Sequence, residues 1–156
     1  MSVATATKTQ TNGHAAKPAT MSWLSPCLTV RDAAAALEFY QKAFGFAQRS
    51  AHTGPDGKIQ HAEMTYEDAV IMLGPEATCP GQPPTKAPAT TGTPSPVSLY
   101  LYCPDVDALH ARAVEAGAKS EYAPSDMFWG DRMCSVSDPD GHKWSFATHK
   151  GGCAAA

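Results

Sequence analysis

The chain repeats its own grammar, and that constrains its fold more than any single residue does. A strand-like run, WLSPCLTV (23–30), leads to Asp32, a residue type that caps helix N-termini. AAAALEFYQKAF (33–44) follows, with Leu37, Tyr40 and Phe44 three and four apart on one helical face, and Gly45 supplies a left-handed stop. The pattern then recurs: VSLYLYC (97–103), Pro104-Asp105, VDALHARAVEA (106–116) with Val106, Leu109, Ala113 and Ala116 on one face, and Gly117. Asp-to-Gly spacing is thirteen residues in the first copy and twelve in the second. Three short strand candidates follow each helix: FAQRSAH, KIQHAEMTY and AVIMLG, then KSEYAP, DRMCSVS and HKWSFAT. GPDG (54–57) and DPDG (138–141) are the clearest hairpin signals. Each block therefore reads β-α-β-β-β, and a duplicated unit decides the architecture. The expectation is an α+β fold, two tandem βαβββ modules forming a curved mixed sheet around a central cleft. One helix covers only one face of a four-stranded sheet, which leaves the other faces to line a small-molecule site.

The boundaries follow from composition. Residues 1–22 read as a disordered tail, 23–74 as module one, 97–149 as module two and 150–156 as a second tail. Between the modules, residues 75–96 hold seven prolines and five threonines in 22 positions, with almost nothing to bury, and read as an extended linker. The whole chain is 156 residues, one domain's worth.

Charge and cysteine usage narrow the function classes. The net charge is −3 and no basic run exists, which argues against a nucleic-acid surface. No apolar run of 18 or more residues argues for a membrane span, and the polar start MSVATATKTQTNG lacks the apolar core of a secretory signal. Residues 1–31 carry Lys8, Lys17 and Arg31 without an acid, so the remainder is mildly acidic and weakly favours neutral or cationic ligands. Cys27, Cys79, Cys103, Cys134 and Cys153 form an odd, scattered set without zinc-module spacing. Cys27, Cys103 and Cys134 sit in strand-like runs where a thiol acts as a small buried hydrophobe, and a reducing, cytoplasmic setting is expected.

The segments LTVRDAAAALEFYQKAFGF (28–46), HAEMTYEDAVIMLG (61–74), YCPDVDALHARAVEAGAK (102–119) and FWGDRMCSVSDPDGHKWSFATH (128–149) carry a resemblance. The chain resembles the vicinal oxygen chelate superfamily, also called the glyoxalase / bleomycin-resistance / dioxygenase fold. WGDR followed by DPDGH-x-W looks most like its PhnB-like subgroup. Metal-dependent members place ligands at fixed strand positions, which fall here on Ser25, Met72, Ser98 and Ser145. Hydroxyls and a thioether make a poor site for a divalent cation, so the resemblance implies a member without the usual metal or another cofactor.

Strand alternation assigns the remaining candidates. Ser25, Cys27 and Thr29 share one face of the first strand, and Ser98, Tyr100 and Tyr102 share one face of the fifth. Lys143, Ser145 and Ala147 share a face of the last strand, with Trp144 and Phe146 in the core. His61 and Glu63 share a face of IQHAEMTY, where an imidazole beside a carboxylate suits general acid–base work, or simply an ion-paired strand edge. In FWGDR, Arg132 suits a bidentate clamp on a carboxylate or phosphate, with Phe128 and Trp129 as stacking walls, or else an Asp–Arg structural pair. His142 and His149 are metal candidates only if the fold gathers them with His61. The expected function is metal-independent binding of a small organic ligand in the inter-module cleft by a homodimer. Two alternatives stand beside it: an enzyme of this superfamily, lyase/isomerase or dioxygenase-like, using non-standard metal ligands or the His61/Glu63 acid–base pair, and a non-catalytic dimeric interaction protein.

Overall fold

The computed structural model describes residues 15–77 and 83–151. Its elements, in order, are β1 (Cys27–Val30), α1 (Ala33–Phe44), β2 (Ala47–Thr53), β3 (Ile59–Tyr66), β4 (Ala69–Pro75), α2 (Pro88–Thr91), β5 (Ser98–Tyr102), α3 (Val106–Glu115), β6 (Lys119–Asp126), β7 (Asp131–Ser137) and β8 (Lys143–His149). The strands form two four-stranded sheets, ordered β1-β4-β3-β2 and β5-β8-β7-β6. In each sheet the first strand pairs in parallel with the last, and the other pairings are antiparallel. The expected α+β fold of two βαβββ modules is what the chain adopts.

The helices begin and end where local chemistry dictates. Asp32 accepts from the Ala34 and Ala35 amides at 2.9 and 3.1 Å, and Gly45 closes α1 with φ of 80°. Asp105 accepts from the Ala108 amide at 3.0 Å to start α3. Each helix buries its apolar stripe, but against a shared core rather than its own sheet alone. Tyr40, Phe44 and Phe46 pack against Trp144 in tilted and edge-on contacts, and Phe44 also meets Phe146 with ring centroids 4.7 Å apart. The Arg112 guanidinium of α3 donates to the Ala43 carbonyl of α1 at 3.1 Å. The helices thus lie between the sheets, in one continuous core drawn from both modules. Burying each large side chain there is worth about 1.5–3 kcal/mol relative to exposure. The sheets therefore meet back to back through their helices, and their second faces point outward. Within one chain these outer faces do not meet.

Polar contacts at the β7–β8 turn fasten the modules together. Asp138, buried, accepts from Tyr40 Oη at 2.6 Å and Trp144 Nε1 at 3.0 Å through Oδ2. Its Oδ1 accepts from the Asp140 and His142 amides at 3.0 and 2.9 Å. Asp140 receives both the Arg31 amide and Nε, and His142 Nε2 lies 2.8 Å from the Thr29 carbonyl.

Three expectations need correction. The Pro/Thr-rich segment is not uniformly extended: among its described residues, α2 forms a helical turn whose Ala89 amide bonds the Asp140 carbonyl at 2.9 Å. Pro88 opens that turn because its missing N–H is not needed there. Residues 1–14 lie outside the described residues, but 15–22 are not a free tail. Ser22 Oγ bonds the Asp68 carbonyl and the Val70 amide, and Arg49 reaches the Thr20 carbonyl at 2.9 Å. Finally, Cys103 and Cys134 are buried whereas Cys27 is exposed, because alternation turns it to the outer face while Leu28 and Val30 enter the core. Cys79 and Cys153 lie outside the described residues.

Candidate functional site

The outer face of module two carries a polar-aromatic knot centred on one carboxylate. On β7, Cys134 and Val136 are buried in the core, so Asp131, Met133 and Ser135 face outward. On β8 the same logic turns Ser145, Ala147 and His149 outward, and on β5 Ser98, Tyr100 and Tyr102. Register then brings the charged ends together, since Asp131 pairs with His149 across β7 and β8.

Asp131 is only 3% exposed. Its Oδ2 accepts from Tyr100 Oη at 2.9 Å, Tyr102 Oη at 2.9 Å and Trp129 Nε1 at 3.2 Å. Its Oδ1 lies 2.8 Å from His149 Nδ1. A carboxylate surrounded by donors is stabilised in its charged form, and the His149 contact, followed by the tyrosines and Trp129, holds Asp131 below the usual carboxylate range. Reciprocally, burial and then the Asp131 hydrogen bond raise the Tyr100 phenol, while the hydrogen bond to Asp131 is the main cause for Tyr102. The tyrosine rings pack edge to face at 5.5 Å, and Phe128 packs edge to face on Trp129 at 4.9 Å. Farther along the face, Ser145 Oγ lies 3.1 Å from Ser98 Oγ and 3.0 Å from Ser135 Oγ.

The other candidates lie elsewhere. Arg132 sits on the helix side of β7, where Nε and Nη2 grip Asp107 at 2.6 and 2.8 Å and Nη1 reaches Asp126 at 3.0 Å. These bonds raise the guanidinium further and hold Asp107 below the usual range. It does not join Tyr100, Tyr102, Phe128 and Trp129, which the fold gathers on one side. His61 and Glu63 share the outer face of module one as alternation expects, with Ala62 and Met64 buried beneath. His61 Nε2 is 3.9 Å from Glu63 Oε1, while Arg49 Nε is 3.5 Å from Glu63 Oε2. His142 and His149 are committed to Thr29 and Asp131 respectively, and no three His, Cys, Asp or Glu side chains converge among the described residues.

The family model of the Glyoxalase/Bleomycin resistance protein/Dioxygenase superfamily matches residues 14–146. The chain belongs to this superfamily. An uncharacterized protein of Mycobacterium bovis is 43% identical over 124 residues, covering 78% of this chain and 80% of that protein. Among solved structures, TioX from Micromonospora sp. ML1 is similar with a TM-score of 0.63 and 24% identity, covering 82% of this chain and 98% of that one. TnmS3, an antibiotic binding protein from Streptomyces sp. CB03234, has a TM-score of 0.56 at 24% identity, covering 87% of this chain and 99% of that one. At such identities these two likenesses show the fold alone.

Superfamily membership brings the metal question to Ser25, Met72, Ser98 and Ser145. The Ser98 and Ser145 hydroxyls are engaged with each other, and Ser25 Oγ is buried without a hydrogen-bond partner. Met72 offers a thioether, set across from Cys27 on one side and Glu63 on the other. Neutral hydroxyls and a soft sulfur do not fit a divalent cation that prefers imidazole and carboxylate.

Asp131 and His149 are the residues that sequence reasoning undervalued. The alternation that assigned Tyr100 and Tyr102 applies equally to DRMCSVS, and sets Asp131 on the opposite side from Arg132. What it does not supply is the register that places Asp131 beside His149.

Proposed function

We propose that this superfamily member binds a small organic ligand, without a metal, on the outer face of module two. The observation that supports this best is the Asp131 knot: a buried carboxylate holds two exposed tyrosines, Trp129 and His149 in fixed orientations on a sheet face that no element covers among the described residues. Preorganised aromatic walls with fixed polar groups are what a ligand site requires. The antibiotic binding protein of the same fold is consistent with this reading. Tyr100, Tyr102, Phe128 and Trp129 line the site; Arg132 does not. The proposed setting is cytoplasmic, and the proposed subgroup is PhnB-like.

The site is completed, in this reading, by a homodimer in which the outer face of module one from a second copy closes over module two. Among the described residues nothing covers either outer face, and Trp23 and Leu24 stand exposed at 69% and 83% beside the first strand. An acid–base role for His61 and Glu63 has less support, because Arg49 already engages the carboxylate.

Thermal-shift and NMR screening against a broad metabolite and antibiotic panel tests the binding reading. A binder at saturating ligand raises the melting temperature, because ligands of the native state stabilise it. Tyr102→Ala and Trp129→Ala are expected to abolish that rise, and Arg132→Ala to leave it intact. Loss in Arg132→Ala with retention in Tyr102→Ala overturns the site. Analytical ultracentrifugation tests the dimer: Trp23→Ser/Leu24→Ser is expected to yield monomers that no longer bind.

A further inference from the structure

Hydrogen-bond bookkeeping around Asp131 fixes the polarity of the surface it supports. An ionised carboxylate only accepts, so every partner must spend a hydrogen on it. Tyr100 and Tyr102 each own one hydroxyl hydrogen, and both are directed to Oδ2. The indole N–H of Trp129 points the same way. His149 faces Oδ1 with Nδ1, so its neutral tautomer carries the proton there and leaves the Nε2 lone pair outward. What remains for a ligand is therefore an array of lone pairs and aromatic faces above one buried negative charge. Freedom to donate is kept at the other end of the face, by the rotatable hydroxyls of Ser98, Ser135 and Ser145 and by Lys143.

A groove of about 470 Å³ adjoins this array, lined among others by Tyr102, His149, Thr148, Tyr66 and Glu67. It adds a second carboxylate to the same edge. Glu67 sits at φ of 51° at the start of the two-residue β3–β4 hairpin, a position that glycine fills at least cost. A glutamate there adds an acidic acceptor to the groove that His149 also lines.

We propose that the Asp131 end of this face selects ligands that present hydrogen-bond donors, in particular an ammonium group borne on an aromatic or other flat apolar body, and rejects carboxylates. The inference rests on the binding reading above and names the chemistry of its ligand. An ammonium finds the Tyr102 oxygen, His149 Nε2 and the Glu67 carboxylate as acceptors, and the tyrosine rings as a cation–π surface. A carboxylate meets only lone pairs and like charge.

A matched pair of probes tests it: phenethylammonium against hydrocinnamate, which differ only in the charged end. Both are titrated into the full-length protein at about pH 8, where the two probes carry opposite charges. The resonances of the Trp129 indole and His149 imidazole are followed. The ammonium is expected to bind at least about tenfold more tightly, the scale of one charge-assisted hydrogen bond. His149→Ala, at a well-exposed position, is expected to weaken the ammonium several-fold and leave hydrocinnamate unchanged. Equal or tighter binding of hydrocinnamate at these resonances overturns the selectivity while leaving the site standing. If neither probe, nor any panel compound, moves those resonances, the site and the selectivity fall together.

Discussion

Replacing Tyr40 by phenylalanine isolates the contact that staples the two modules. The substitution removes one oxygen and keeps the ring, so the packing on Phe44 and Trp144 at 5.6 and 5.5 Å is retained. What is lost is a 2.6 Å bond from a fully buried phenol to the Asp138 carboxylate. Asp138 is not orphaned, since Trp144 Nε1 and the Asp140 and His142 amides still donate to it. The cost is therefore one charge-assisted hydrogen bond, about 2 kcal/mol, rather than the roughly 3–5 kcal/mol of breaking a buried charged pair. For a chain of this size the melting temperature should fall by about 4–8 °C. Burial first, then the negative charge of Asp138, pushes the Tyr40 phenol well above its ordinary 10.0. A raised phenol favours the folded state below the unfolded value, and that contribution is lost as pH climbs from about 10 toward the folded value. Urea unfolding at neutral and alkaline pH should thus show the wild type losing stability above pH 10 by an amount that Tyr40→Phe lacks. A neutral-pH loss under about 0.5 kcal/mol would refute the reasoning, since surface-like substitutions already cost that much. Asp138→Ala is expected to be the more severe variant, because it leaves Tyr40 and Trp144 with buried donors.

Other expectations follow from particular residues. Cys27 should be alkylated rapidly in the native protein, whereas Cys134, pushed up to about 11 by burial, and Cys103, also raised by burial, should react only after unfolding; peptide mapping after a brief iodoacetamide pulse reads this. Gly141→Ala should cost more than Gly57→Ala, although φ is 84° and 77°. The new Cβ at Gly141 would lie 3.0 Å from the Ala89 amide nitrogen, whereas nothing lies within 4 Å at Gly57. The left-handed penalty common to both is about 1–2 kcal/mol, and chemical denaturation measures the difference. Asp131, depressed chiefly by His149, contributes stability above its unfolded value of about 3.8 that is lost as pH falls through the lower folded value. Asp131→Asn should flatten that part of the acid unfolding curve.

Local chemistry was legible from the chain because each element announces itself over a few residues. The bounds of α1 follow from Asp32 and Gly45, and β7 coincides with the DRMCSVS run. Strand faces were legible for the same reason: alternation needs only neighbours in sequence, and it set His61, Tyr100 and Tyr102 on the sheet faces away from the core, although these were expected to line a cleft and within one chain they do not meet. Side-chain partnerships were not, because they depend on register and on how modules pack. Arg132 next to Asp131 suggests a local pair, yet adjacent strand residues point to opposite faces, and the guanidinium takes Asp107 on α3 instead. The relation of the two modules was equally hidden. Leu37, Tyr40 and Phe44 state that α1 has an apolar stripe, but not that this stripe also reaches Trp144 and Phe146 in the other module.

That arrangement explains why one strand carries two saturated carboxylates with different consequences. Asp131 opens β7 and Asp138 follows its end, and each is largely buried and collects four donors. Asp138 recruits Tyr40 from module one, so its hydrogen bonds span the modules and stabilise the fold. Asp131 recruits only residues of module two, all four of them exposed to different degrees, so its hydrogen bonds tie strands within one module and orient its outer face. Burying a carboxylate carries a desolvation cost of several kcal/mol that good donors offset. At Asp138 the offset contributes to holding the chain together. At Asp131 the aromatic rings it aligns could have stayed loose without loosening any contact between the modules. In the proposed binding reading, that alignment is what presents fixed aromatic walls to a ligand.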